Sequence, residues 1–215
     1  MKIPSRILAF TAAAAIGLAI AVLGWLTWSK PETATLVGHK GPTPAGTITP
    51  TVKVGGPFAL VDHAGKAVTD ADYRGKFLLI YFGYTHCPDM CPITAQKMAS
   101  ALDGLGGAGE AIQPLMITID PERDTPAVLA EFVNLFHPRM IGLTGTPDQV
   151  ATVAKAYRVY YAKGSDSKVA HHYLMDHSSV VYLVGPEGKF LIAFSHQASP
   201  EQMTKVIRSY LQPSG

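Results

Sequence analysis

The run Phe77-Leu78-Leu79-Ile80-Tyr81-Phe82, with Gly75 before it and Gly83 after it, most restricts how this chain can fold. Its apolar residues do not alternate with polar ones, so neither face suits water. The run reads as a central strand buried on both sides. Such a strand needs covering layers, and the sequence supplies them. Helical spacing follows from about Pro92, placing Ile93, Met98 and Leu102 on one face, and ends at Gly104, Gly106 and Gly107. Leu115-Met116-Ile117-Thr118-Ile119 repeats the buried-strand pattern. Thr125-Pro126 then opens a helix, threonine as N-cap and proline at the first helical position. That helix turns Val128, Leu129, Phe132 and Phe136 inward and stops before Pro138, and another runs from about Pro147 to Arg158.

Val180–Val184, the turn Gly185-Pro186-Glu187-Gly188, and Phe190–Phe194 read as a hairpin, followed by a last helix over Pro200–Leu211. The order strand, helix, strand, helix, hairpin, helix predicts an α/β fold. It is a thioredoxin-like domain with a mixed central sheet flanked by helices. Fold order of this kind says little about function, which has to come from a site.

The N-terminal part follows other rules. From Ile7 to Trp28 there is no charged side chain. At about 1.5 Å per residue the run spans roughly 33 Å, enough to cross a bilayer core of about 30 Å. Lys2 and Arg6 precede it, which keeps residues 1–6 cytoplasmic, and Trp25 and Trp28 suit the opposite interface. One transmembrane helix over 7–28 is therefore expected. A cleaved signal peptide is the alternative, with a weak site near Thr27 and Ser29, but its apolar core is typically shorter, about 7–15 residues. Residues 29–55 alternate Pro31, Pro42, Pro44 and Pro50 with glycines and threonines, the composition of a flexible tether. One globular domain, 56–215, remains. Lys+Arg 18 against Asp+Glu 16 leaves no polybasic excess, which argues against nucleic acid as a partner.

Cys87 and Cys91 are the chain's only cysteines, set just past the central strand in Thr85-His86-Cys87-Pro88-Asp89-Met90-Cys91-Pro92. Ligands collect beyond the carboxyl ends of such strands, and an entering helix N-terminus favours thiolate over thiol. The spacing sets both sulfurs on one side of a helical turn. A structural disulfide closing so short a loop stabilises by only about 2 kcal/mol, and two inert buried thiols fit poorly with the flanking polar residues. A metal or redox role remains. Two thiolates suit Cu(I), and one imidazole completes a trigonal site.

Eight histidines are available. His177 lies directly before the hairpin strand, whose entrance faces the cysteine loop in a thioredoxin-like sheet; a histidine that only closes the strand is the other reading. His86 is expected to orient the loop, Met90 to pack, and the tandem His171-His172 to face solvent. His39, His63, His137 and His196 receive no ligand role. Asp120, Glu122 and Asp124 form the one acidic cluster, readable as turn and helix-cap chemistry.

Taken together, Tyr84–Pro92, Ile119-Asp120-Pro121-Glu122-Arg123-Asp124-Thr125-Pro126, Gly142-Leu143-Thr144-Gly145, Tyr157-Arg158-Val159-Tyr160-Tyr161 and Asp176-His177-Ser178 resemble the Sco/SenC family over roughly residues 55–212. Its members are membrane-anchored copper-binding proteins needed for assembly of cytochrome c oxidase. The resemblance implies that Cys87, Cys91 and His177 are the metal ligands for Cu(I) and Cu(II). It further implies that Tyr173–Asp176 form the mobile approach to the histidine, with Asp176 orienting the imidazole. The expected function is a copper metallochaperone without turnover, delivering copper to, or preparing, the dinuclear copper site of cytochrome c oxidase subunit II. Another periplasmic copper chaperone or a thiol reductant would complete the partners. The chain would sit in the inner (cytoplasmic) membrane as a single-pass protein, its C-terminal domain in the periplasm or an equivalent intermembrane compartment. A membrane-anchored thiol–disulfide oxidoreductase using the Cys87 and Cys91 pair is the alternative. A peroxiredoxin is disfavoured because its motif would need proline at position 80 and threonine at 84, where Ile80 and Tyr84 stand. A zinc enzyme has the ligand types but no identifiable acid or base.

Overall fold

The structure is a computed structural model, and it describes residues 46–48, 50, 52–164 and 173–212. The run Ile7–Trp28 and the pair His171-His172 lie outside the described residues. Among the described residues no helix is long and apolar enough to cross a membrane.

Among the described residues, ten strands and four α-helices follow in chain order. The strands are β1 (Thr47–Ile48), β2 (Ala59–Asp62), β3 (Ala67–Thr69), β4 (Phe77–Gly83), β5 (Ile112–Thr118), β6 (Ile141–Thr144), β7 (Tyr161–Lys163), β8 (Met175–His177), β9 (Val180–Val184) and β10 (Phe190–Ser195). The helices are α1 (Met90–Leu105), α2 (Pro126–Asn134), α3 (Pro147–Ala156) and α4 (Pro200–Leu211). The main sheet has the order β1-β10-β9-β4-β5-β6-β2-β3, while β7 and β8 form a separate two-stranded ribbon.

The apolar run that fixed the reading occupies the middle of the sheet. β4 pairs parallel with β5 and antiparallel with β9, which makes the sheet mixed. Leu79, Ile80, Tyr81 and Phe82 are fully buried, as a strand covered on both faces requires. The Thr125 cap read from sequence is present, and Thr146 and Ser199 cap later helices in the same way: each accepts a backbone N–H of the following helix, and each is followed by proline. Strand β9 and the helix Pro200–Leu211 have the expected bounds, and β10 runs one residue further than expected, to Ser195.

Three differences have physical causes. Helix α1 starts at Met90, and its buried face is Cys91, Thr94, Ala95, Met98, Ala99, Ala101, Leu102 and Leu105. Ile93 is 45% exposed, because the 3.6-residue period that turns Cys91, Ala95 and Met98 inward turns residue 93 out. Strand β5 begins at Ile112, ahead of the apolar run, since Gln113 and Pro114 interrupt the pattern without ending the pairing. The sheet also reaches back into the segment expected as tether. β1 pairs with β10, Val54 is buried, and the Gly55 N–H donates to the Ala156 carbonyl. A two-residue strand has no periodicity for composition to reveal.

A candidate metal centre at the end of the central strand

The site grows from the carboxyl end of β4. After Gly83 the chain leaves the sheet, and the Ile119 N–H donates to the Gly83 carbonyl there. Gly83 cannot carry a side chain. A Cβ would stand 2.5 Å from the Tyr81 ring and 3.1 Å from Cys91 Sγ. The glycine therefore lets the sulfur lie against the strand.

Cys87 lies in the loop before α1 and Cys91 at the helix's second residue, rather than both on one helical turn. The turn brings them together by another route. The Cys91 N–H donates to Cys87 Sγ at 3.4 Å, and the amides of Asp89 and Met90 also point at that sulfur. Cys87 is half-buried; Cys91 is fully buried, and its sulfur accepts a 3.4 Å hydrogen bond from the Tyr81 hydroxyl. The two thiols are thus unequal. A hydrogen bond from Cys91 and the ring of helix-terminal amides pull the Cys87 thiol down to about 5. The same pairing with a Cys87 thiolate, together with burial, pushes the Cys91 thiol up.

His177 arrives from the separate ribbon β7–β8. Its Nε2 stands 3.6 Å from Cys91 Sγ. Its Nδ1 faces the Ser178 carbonyl at 3.2 Å, an acceptor, so Nδ1 carries the proton and Nε2 turns a lone pair toward the sulfur. This corrects the expectation for Asp176, which is exposed on β8: the orienting acceptor is a backbone carbonyl. The imidazole packs edge-on against two tyrosine rings, Tyr81 and Tyr84, with both centroids at 6.0 Å.

Tyr84 links the two halves. Its carbonyl accepts the Cys87 N–H, and its hydroxyl accepts the Met175 N–H at 3.1 Å. The segment expected as a mobile approach is held at several points: Tyr173 and Met175 are buried, and the Tyr173 hydroxyl donates to Asp120 at 2.6 Å. Asp124 is buried beneath the cysteine loop. It accepts the Thr85 N–H and hydroxyl and the Thr118 hydroxyl. Burial raises its pKa, and those three donors oppose the rise.

His86 is exposed, with Nδ1 3.0 Å from the Thr85 hydroxyl, in keeping with an orienting role. His63 and His137 accept backbone N–H groups of Gly142 and Arg139.

Among the described residues no three His, Cys, Asp or Glu side chains are already gathered at metal-holding distance. The candidates meet in pairs. Two donors sharing one first-row ion, at about 2.3 Å from sulfur and about 2.0 Å from nitrogen, stand roughly 3.5–3.7 Å apart. The 3.6 Å between Cys91 Sγ and His177 Nε2 falls at that separation. Two thiols and one imidazole are donor types that suit a soft, low-coordinate ion.

The sequence model of the SCO1/SenC family matches residues 46–212. The chain belongs to the SCO1/SenC family. Protein SenC of Rhodobacter capsulatus is 38% identical over 98% of this chain and 93% of its own length. The mitochondrial protein SCO2 homolog of Bos taurus is 44% identical over 73% of this chain, which spans 59% of that relative's length. The human and fission-yeast Sco1 relatives are likewise spanned only to 54% and 61% of their lengths. Among solved structures, Arabidopsis thaliana ScoI with copper bound superposes with a TM-score of 0.68 at 42% identity, covering 73% of this chain and 96% of that one.

Tyr81, Tyr84, Asp124 and Tyr173 carry parts of the site that sequence reasoning missed as site residues. Tyr81 was hidden inside an apolar run, where a phenol looks like one more core side chain. Strict alternation from Gly83 would have placed Tyr81 on the glycine's face, beside the cysteine loop.

Proposed function

We propose that this chain is a copper metallochaperone that binds Cu(I) and Cu(II) through Cys87, Cys91 and His177. In this role it delivers copper to, or prepares, the dinuclear copper site of cytochrome c oxidase subunit II. The observation that carries the reading is the 3.6 Å approach of His177 Nε2 to Cys91 Sγ beside the half-exposed Cys87. Copper is cargo here. The two thiolates hold the soft Cu(I) state, and the imidazole adds the donor that Cu(II) prefers. Copper found in relatives such as Arabidopsis ScoI supports the same ion for this site.

The rest of the reading follows the chain. Residues 7–28 form a single-pass anchor in the inner membrane, and the residues up to the start of the sheet form the tether. The copper domain then faces the periplasm or the equivalent intermembrane space, where a second copper chaperone supplies the metal. Anaerobic Cu(I) titration of the full chain tests the ligand set. One copper per chain is expected, with tight binding lost in Cys87→Ser and Cys91→Ser. Retention of one tightly bound copper by both variants defeats the assignment.

The inequality of the thiols favours one second reading, a thiol–disulfide oxidoreductase. The Cys87 thiolate would attack an oxidised cysteine pair in the recipient, forming a mixed disulfide and expelling one recipient thiolate. Cys91 would then displace the second, leaving Cys87–Cys91 oxidised and the recipient reduced by two electrons. A thiol reductant restores the pair. In this reading His177 is dispensable, so oxidase copper content in cells carrying only His177→Ala separates the two: loss supports the chaperone and retention the reductase.

A further inference from the structure

The turn Asp120–Asp124, between β5 and α2, touches both halves of the site by different side chains. On the cysteine side, Asp124 holds the Thr85 N–H at 3.1 Å and its hydroxyl at 2.6 Å, two residues before Cys87. On the histidine side, Asp120 accepts the Tyr173 hydroxyl at 2.6 Å. The Arg123 guanidinium, bonded to Asp120, lies 3.6 Å from the centre of the Tyr173 ring. Glu122 pairs with Lys163 at 2.7 Å, and Lys163 faces Met175 across the ribbon that carries His177. Asp120 and Asp124 are both buried, with relative exposures of 2% and 0%. Ordinary turn and cap chemistry needs neither burial nor partners at such sequence separation.

We propose that this turn is a brace that sets the span between the thiol pair and the imidazole. Asp124 with Thr85 is its cysteine arm, and Asp120 with Tyr173 its histidine arm. None of these is a ligand; they are positioning residues. The idea rests on the copper reading only for its effect on metal affinity, because the brace itself exists in the metal-free protein. The ribbon has two short strands of its own, and a two-stranded ribbon alone is marginal in water, so side-chain ties add to the short link Ser178-Ser179 into β9 in fixing where it stands.

The arms are separable by substitution. Tyr173→Phe removes the hydroxyl from Asp120 while keeping the ring against Arg123. Thr85→Val removes one tie to Asp124 with little change of shape. In metal-free protein, NMR of the His177 ring nitrogens is expected to shift or split in Tyr173→Phe and stay as wild type in Thr85→Val. Amide exchange at Cys87 is expected to do the reverse. With Cu(II) added, Tyr173→Phe is expected to weaken binding about tenfold, the size of effect usual for groups that orient a ligand.

A double-mutant cycle guards against a merely structural effect. In a His177→Ala background, Tyr173→Phe should add nothing further, since it acts through that imidazole. A full additional loss there, or an unchanged His177 ring in Tyr173→Phe, overturns the brace while leaving copper binding intact. A wild type that takes up no copper overturns the copper reading instead, and the metal-free spectra then decide the brace alone.

Discussion

The two halves of this site are built on different foundations. The cysteine half stands on β4, a buried central strand of the main sheet, with a buried carboxylate below it and a helix N-terminus around one sulfur. The histidine half stands on a three-residue strand whose only sheet partner among the described residues is another three-residue strand. The first is held by backbone pairing and burial, the second by side-chain ties. Rigidity in the first half is therefore inherited from the core, while in the second it depends on a few named groups.

That contrast can be broken most severely at the sulfurs. Cys91→Ser should weaken Cu(I) by more than about a hundredfold, beyond the 10–100-fold usual for a mere orienting group; competition titration against a Cu(I) chelator measures it. Asp124→Ala comes next. It leaves the Thr85 and Thr118 donors buried without their acceptor, and should cost about 2–3 kcal/mol in denaturant unfolding. An effect below about 0.5 kcal/mol would mean that the loop does not lean on it. On the other side, His177→Ala should lower Cu(II) affinity about fiftyfold, more than the loss of a group that only orients the imidazole, seen by loss of nitrogen coupling in the Cu(II) spectrum, and leave Cu(I) bound by the thiolates. Tyr84→Phe, which takes the acceptor from the buried Met175 N–H, should cost about 1 kcal/mol.

The smallest structural effect belongs to Ile93→Ala, within about 0.5 kcal/mol because the side chain is exposed. The thiol inequality has its own measurement. A Cys87 pKa near 5 means that the sulfur is ionised across neutral pH and protonates only as pH falls through about 5. Its alkylation rate should hold level from pH 7 down to about 6 and then drop. An ordinary thiol would already be falling from pH 9. Cys91 should stay unreactive over the same range, since it is buried and held in its protonated form.

The same contrast explains what could be read from the sequence. β4, the hairpin β9–β10 and the capped helices were legible because local pattern and tertiary environment agree in them. The cysteine pair was legible because it is fixed to the end of such a strand. β2, β3 and β6 were not, being strands of 4, 3 and 4 residues, too short for a pattern to show, and β2 pairs with β6 far along the chain. The ribbon was missed for the same reason, and with it the support of His177. His177 itself could be picked out only by its position before β9 and by the family resemblance. The carboxylates Asp120 and Asp124 were seen as a cluster, yet nothing local tells that one reaches Thr85 and the other Tyr173.

The separateness of the ribbon also bears on how such a chain can change over generations. A single-residue insertion in β4 would slip its register against β5 and β9 and exchange its two faces, so drift there is closed off. Among the described residues β7 and β8 share no ladder with the main sheet, and lengthening or shortening them breaks no described pairing but their own. Descendants of one ancestral chain can thus vary the reach of the third donor while the sulfur pair stays where the core puts it.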